Sequence, residues 1–211
     1  MNLRVLHRPA LPRWRRRHVV AVLGLRPAVA QHSEAEAHLL RGYARNAKCV
    51  VEIGVAEGGS AIELRRVMNH DGTLVLVDPY EPGLFGLSMP WIVAHRLVDG
   101  EDRGDVLWIR RRSTEAAREW NAPIDFIFFD GDHSYQAVKA DWQAWSRYVR
   151  VGGVAALHDA LLSEWTTSTD GPVRLVEEIA ENDPRWKVVD GVDSTAVLRH
   201  IGSVSRAQAP G

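Results

Sequence analysis

The feature that most restricts this chain is an apolar strand running through glycine into a helix: Cys49-Val50-Val51-Glu52-Ile53, then Gly54-Val55-Ala56-Glu57-Gly58-Gly59-Ser60. Glycine lets the backbone turn tightly and lets a ligand come close to it, and a helix opening at Gly59-Ser60 carries N–H groups without intrahelical partners. The helix should continue through Leu64 and Met68. A strand, a glycine turn and a helix in that order form half of a βαβ unit, and such a unit can be buried only inside an α/β sheet.

The alternation repeats downstream. Apolar runs at 74–77, 106–109, Ile124–Phe129 and 154–157 read as strands covered on both faces, because none of them alternates with polar residues. Helices are expected at 114–120, from about Tyr135, and after Pro172, whose fixed φ suits a first helical turn. Ser33 and Glu36 have capping-box spacing before a helix whose apolar side carries Leu39, Leu40 and Tyr43, ending near Ala47. Two closing strands at 186–189 and 196–198 are separated by too few residues for a crossover, so they should form an antiparallel hairpin. The expectation is one doubly wound α/β domain: seven strands, mostly parallel, one reversed, with helices on both faces. It should occupy residues 33–201, behind a basic arm over 1–32 and ahead of a flexible tail over 202–211.

The chain has 211 residues, 45% of them hydrophobic, and a net charge of −1. That suffices for one substantial core and gives no global field that selects nucleic acid or anionic lipid. The arm is the exception, with Arg4, Arg8, Arg13, Arg15, Arg16, Arg17 and Arg26 and no acidic residue before Glu34. It reads as a solvated segment that packs on the domain or on a second copy of the chain, which allows a homodimer, in preference to a nucleic-acid or membrane site. The apolar stretch 19–25 is short for a signal core, is followed by Arg26-Pro27, and falls well below the roughly 20 residues that span a bilayer. A cytoplasmic protein is expected. Cys49 is the single cysteine, which excludes an internal disulfide and a cysteine zinc site.

Two constellations carry chemistry. The first is the 52–60 turn with Asp78, which closes the second strand. In it Glu52, Gly54, Gly58 and Ser60 would surround a nucleoside-type cofactor, and Asp78 would accept hydrogen bonds from its ribose hydroxyls. Ala56 and Glu57 depart from the Gly-x-Gly-x-x-Gly pattern, and Glu57 is a negative charge where a pyrophosphate would sit, so a dinucleotide is disfavoured. Ser113, read as the end of the third strand, would face the adenine.

The second is Asp130-Gly131-Asp132-His133 at the end of the fourth strand with His158-Asp159 at the end of the fifth. On neighbouring strands, about 4.8 Å apart, Asp130 and Asp159 would repel unless a proton or a cation stood between them. Hard oxygen donors favour magnesium, and His158 is either a further ligand or an orienting neighbour. His133, with an ordinary pKa near 6.5, is positioned to accept a proton. The competing assignment for each is structural: helix capping for the carboxylates and for His133.

Together, residues 52–60, Asp78 and Asp130–Tyr135 resemble class I S-adenosylmethionine-dependent O-methyltransferases, over about residues 33–200. Within that group, Asp-Gly-x-His followed by an acidic pair is similar to the metal-dependent sugar O-methyltransferases of macrolide tailoring. In size the chain resembles the mycobacterial methylmannose-polysaccharide 1-O-methyltransferases. The resemblance implies a Rossmann-like seven-stranded methyltransferase sheet and S-adenosylmethionine at the 52–60 turn, Asp78, Ser113 and Asp130. It also implies Mg2+ or another divalent cation at Asp130 and Asp159, His133 as base, and a sugar or small glycoside as acceptor. His158 stands where those enzymes have glutamate. The acceptor is expected between the insert 79–105 and the loop 160–171, against Tyr80, Trp91, Trp165 and Thr166. The alternatives are an NAD(P)-dependent oxidoreductase on a similar sheet and a non-catalytic module that binds through the arm.

Overall fold

The computed structural model of the chain describes residues 5–6, 28–83 and 86–202. Most of the basic arm and of the C-terminal tail therefore lie outside the described residues. Two short strands, β1 (Val5–Leu6) and β2 (Ala28–Val29), pair in parallel. After them come α1 (Glu34–Ala44), β3 (Cys49–Ile53), α2 (Gly59–Arg65), β4 (Thr73–Val77), α3 (Met89–Val98) and β5 (Asp105–Ile109). The chain continues through α4 (Ser113–Glu119), β6 (Ile124–Phe129), α5 (Tyr135–Trp145), β7 (Val149–Leu157), α6 (Gly171–Asn182), β8 (Trp186–Val192) and β9 (Thr195–His200).

The main sheet has seven strands in the order β5-β4-β3-β6-β7-β9-β8. All pairings from β5 to β7 are parallel, whereas β9 runs antiparallel to both β7 and β8, so β9 is the one reversed strand. Alternate residues of the strands feed two cores. Val51, Ile53, Val75, Ile127 and Leu157 pack with Ala117, Trp142, Trp145 and Ile179 of α4, α5 and α6. Val50, Leu74, Leu76, Phe126, Phe128 and Ala156 pack with Leu40, Leu64 and Ala94 of α1, α2 and α3. Burying each large side chain of these layers contributes about 1.5–3 kcal/mol, which explains why the strands read as unbroken apolar runs.

Ser33 caps α1 as expected: its side chain accepts from Glu36 N, and Glu36 Oε2 accepts from Ser33 N at 2.8 Å. The insert 79–105 contains a helix, since Met89–Val98 forms α3, with Pro90 in its first turn and Val93, Ala94, Leu97 and Val98 buried. One expectation is corrected. Ser113 does not end a strand: the β4–β5 register stops at Val77 and Ile109, three arginines follow, and Ser113 opens α4.

The β3–β6 boundary positions the site. There the chain reverses the direction in which it adds strands, leaving a crevice at their carboxyl ends. Gly54, at φ +83°, lies so close to β6 that a Cβ would stand 2.3 Å from the Asp130 carbonyl oxygen. The two candidate constellations are thus joined through backbone contact.

Candidate active site

On the cofactor side of the crevice, Asp78 acts as an anchor for the glycine turn. Its Oδ2 accepts from Val55 N (3.0 Å) and Ala56 N (3.1 Å), and its Oδ1 from Tyr80 N (2.7 Å). A carboxylate has about four acceptor positions, so these three bonds leave capacity for about one more. Gly58, at φ +80°, faces α3, where a Cβ would meet Ala94 Cα at 3.1 Å. Glu52 is fully buried and accepts a hydrogen bond from Ser60 Oγ, while its Oε2 has no partner. Burial, reinforced by the charges of Asp130 and Asp78 and opposed by Ser60, pushes its carboxyl well above the usual range.

On the opposite side, β6 and β7 deliver the second constellation. His158, 2% exposed, has Nδ1 2.8 Å from Asp130 Oδ1, an ion-pair contact without hydrogen-bond alignment. His133 reaches back from the loop after β6, with Nε2 3.5 Å from Asp130 Oδ1 and Nδ1 3.2 Å from Asp159 Oδ2. Hydrogen bonds to Asp130 and Asp159 raise His133 to about 9 against the opposing effect of burial. This departs from the ordinary value expected from the sequence, for which the carboxylate partners on both ring nitrogens are the reason. Burial works to raise the Asp130 carboxyl, but the His158 and His133 charges and hydrogen bonds outweigh it and hold the group well below its ordinary range. Asp159 is lowered in the same way, burial being overcome by His133 and His158. His158 is raised, the Asp130 carboxylate overcoming burial. The His133 imidazolium therefore supplies positive charge that the paired carboxylates require.

Backbone strain is concentrated at this edge. Among the non-glycine residues with positive φ are Ala56 (48°), Tyr80 (46°) and Asp159 (51°), which belong to the glycine turn, the end of β4 and the end of β7. Such conformations cost on the order of 1–3 kcal/mol each and cluster at functional sites.

The remaining expected residues divide between the two sides. Tyr80, buried, meets Trp91 edge to face at 5.2 Å, and Trp91 meets Trp108 at 4.8 Å, an aromatic cluster joined to Asp78 through Tyr80 N. Ser113 Oγ accepts from Trp145 Nε1 at 2.8 Å and helps pack α4 on α5. Thr166 is buried, donating to the Leu161 carbonyl and pairing with Ser163 Oγ at 2.9 Å, which stiffens its own loop. Trp165, in the same loop after β7, is 63% exposed.

The sequence reading missed three participants. Glu36, Ser194 and Thr195 reach the site from α1 and the β8–β9 turn: Glu36 Oε1 accepts from Ser194 Oγ at 2.8 Å and Thr195 Oγ1 at 2.9 Å, and Ser194 Oγ lies 2.9 Å from Asp159 Oδ1. Glu36 carried a signal in its capping-box position, but that spacing already had a sufficient local explanation.

A mostly parallel, Rossmann-like sheet with a glycine turn at its switch point and one antiparallel strand defines the methyltransferase architecture. The family model of a methyltransferase domain matches residues 51–160, just over half of the chain, and the chain belongs to that family. Solved structures share the fold. A protein from Corynebacterium glutamicum is 20% identical, with 89% of this chain and 88% of that one covered and a TM-score of 0.65. An O-methyltransferase from Bacillus cereus, in complex with SAH, is 21% identical over 86% and 87%, with a TM-score of 0.61. The O-methyltransferase TomG from Streptomyces achromogenes, in complex with SAM, is 19% identical over 88% of each chain, with a TM-score of 0.63.

Proposed function

We propose that this chain is an S-adenosylmethionine-dependent O-methyltransferase whose acceptor is a hydroxyl of a sugar or small glycoside. The observation that carries the reading is the Asp130–His133–Asp159 bridge set directly against the Gly54 turn. The cofactors of the Bacillus and Streptomyces O-methyltransferases support it. A nicotinamide cofactor is disfavoured by Glu57 and by the family, and the arm-binding alternative rests on residues outside those described.

The turn fits an adenosyl cofactor. Glu52 Oε2 is a buried polar atom without a partner, and Asp78 retains acceptor capacity for about one ribose hydroxyl. When bound, S-adenosylmethionine supplies a sulfonium methyl that an oxygen attacks in line.

The protein's part is to hold the acceptor hydroxyl about 3 Å from that methyl and to take its proton. His133 is suited to the second task only in its neutral form. With its pKa raised to about 9, roughly one molecule in a hundred is neutral at pH 7. Asp130 and Asp159 orient the ring through its two nitrogens, so a proton taken from the acceptor is held between them. Trp165 offers the exposed aromatic face against which a sugar ring would rest, whereas Tyr80 and Trp91 belong with the cofactor.

A divalent ion would be held by Asp130, with His158 and Asp159 beside it. One donor atom each from Asp130, His133 and His158 lies within 4.8 Å of the others, a spacing that ligand distances of about 2.1 Å match after a small contraction. Two imidazoles in the set fit manganese or zinc better than magnesium, which takes oxygen donors. A bound ion would polarise the acceptor hydroxyl and lower its pKa. Ligation requires neutral imidazole, so ion and proton compete for the same residues.

The test is transfer of labelled methyl from S-adenosylmethionine to mannosides, other glycosides and catechols, each with and without magnesium or manganese. Label on a glycoside oxygen is expected. Transfer to catechols alone removes the sugar assignment, and cofactor binding without transfer to any oxygen removes the O-methyltransferase reading.

A further inference from the structure

We infer that Glu36, from the first turn of α1, is a positioning residue for methyl transfer, acting through His158 and Ser194. The inference rests on the proposed reading of the crevice as a methyl-transfer centre. Glu36 is 3% exposed and stands one side chain away from each carboxylate of the site. Toward Asp130 the intermediary is His158, whose Nε2 lies 3.8 Å from Glu36 Oε2, an ion-pair distance, while its Nδ1 meets Asp130 at 2.8 Å. Toward Asp159 the intermediary is Ser194 Oγ, which lies 2.8 Å from Glu36 Oε1 and 2.9 Å from Asp159 Oδ1.

The donors around Glu36 explain why the residue is an anion. Ser194 N, Ser194 Oγ and Thr195 Oγ1 converge on Oε1, and Ser33 N donates to Oε2. An N-cap partner alone needs one acceptor. An amide in place of the carboxylate would turn an NH2 group toward one of these donors, and His158 would lose its second anionic neighbour. The capping box of α1 and the β8–β9 turn are thereby tied to the orientation of both Asp130 and Asp159, and displacement of a catalytic group by about 1 Å can cost on the order of a hundredfold in rate.

Glu36→Gln, with Arg41→Ala as a control that loosens α1 through its ion pairs with Glu34 and Glu63, separates positioning from loss of helix stability. Kinetics, melting temperature and 15N NMR of the His158 imidazole are measured on the full chain. The expected result is a kcat lower by about tenfold or more in Glu36→Gln with the cofactor KM unchanged and a moved His158 signal, while Arg41→Ala keeps its kcat. Should Glu36→Gln fail to fold, Ser194→Ala provides the same comparison, with a smaller loss of kcat and a moved His158 signal expected. An unmoved His158 signal overturns the inference, as does an unchanged kcat. Absence of turnover in the unsubstituted protein counts against the proposed function, and the NMR comparison still decides the role of Glu36.

Discussion

His133 stands between the carboxylates that close two neighbouring strands, Nε2 3.5 Å from Asp130 and Nδ1 3.2 Å from Asp159. The bridge explains how two carboxylates are kept ionised side by side: the ring between them is a cation at neutral pH, and each partner stabilises the other's charge.

Activity and stability are expected to respond to pH in opposite directions. Because the folded pKa of His133 is raised to about 9, its contribution to stability is fully present below about pH 6.5 and is lost as pH rises through 9. Its capacity to accept a proton appears over the same interval. The logarithm of kcat should rise with unit slope from pH 7 to about 9 in buffers without divalent ions, while the melting temperature declines. A flat rate profile would remove His133 as the base.

Ion binding should release protons. Calorimetric titration of manganese at pH 7, in two buffers of different ionisation enthalpy, should show proton release that diminishes above pH 9, because a ligating imidazole must be neutral. Binding without proton release would place the ion away from His133 and His158.

Asp78→Ala removes an acceptor from three backbone N–H groups, at Val55, Ala56 and Tyr80. A hydrogen bond to a charged group contributes about 1.5–3 kcal/mol, and water will satisfy part of what is lost. A loss of about 2 kcal/mol is expected, together with loss of the thermal stabilisation that S-adenosylhomocysteine gives the unsubstituted protein. Scanning calorimetry with and without that ligand checks both.

Gly54→Ala places a methyl group against the Asp130 carbonyl at a position with φ +83°. The left-handed backbone costs an L residue about 1–2 kcal/mol and the overlap a further 1–3 kcal/mol. The melting temperature should fall by roughly 4–20 °C, at about 2–4 °C per kcal/mol for a chain of this size. A shift under 2 °C would contradict the described contact between β3 and β6.

The sheet was legible because its central strands are buried on both faces, so runs such as Phe126–Phe129 carry a signal that polar alternation does not dilute, whereas the edge strands β5 and β8 keep exposed residues such as Leu107 and Val188. Asp130, His133, His158 and Asp159 were legible as pairs because each pair directly follows such a run. Helix α3 was not, since Met89 and Pro90 introduce a weakly amphipathic segment between two stretches rich in turn-forming residues. Glu36 and Ser194 were hidden for a different reason: their contacts span 158 positions, and only the antiparallel return of β9 beside β7 brings them together. Likewise, the strand run 106–109 and the helical run 114–120 bracket Ser113, and a lone serine between them carries no local signal for either element.

The most direct measurement is single-turnover methyl transfer by His133→Ala, alongside its affinity for S-adenosylhomocysteine. The predicted result is cofactor affinity close to that of the unsubstituted protein and transfer slower by about 10²–10⁴-fold, the contribution of a positioned base. Transfer at the unsubstituted rate with the cofactor bound would contradict the placing of methyl transfer at the Asp130–His133–Asp159 bridge.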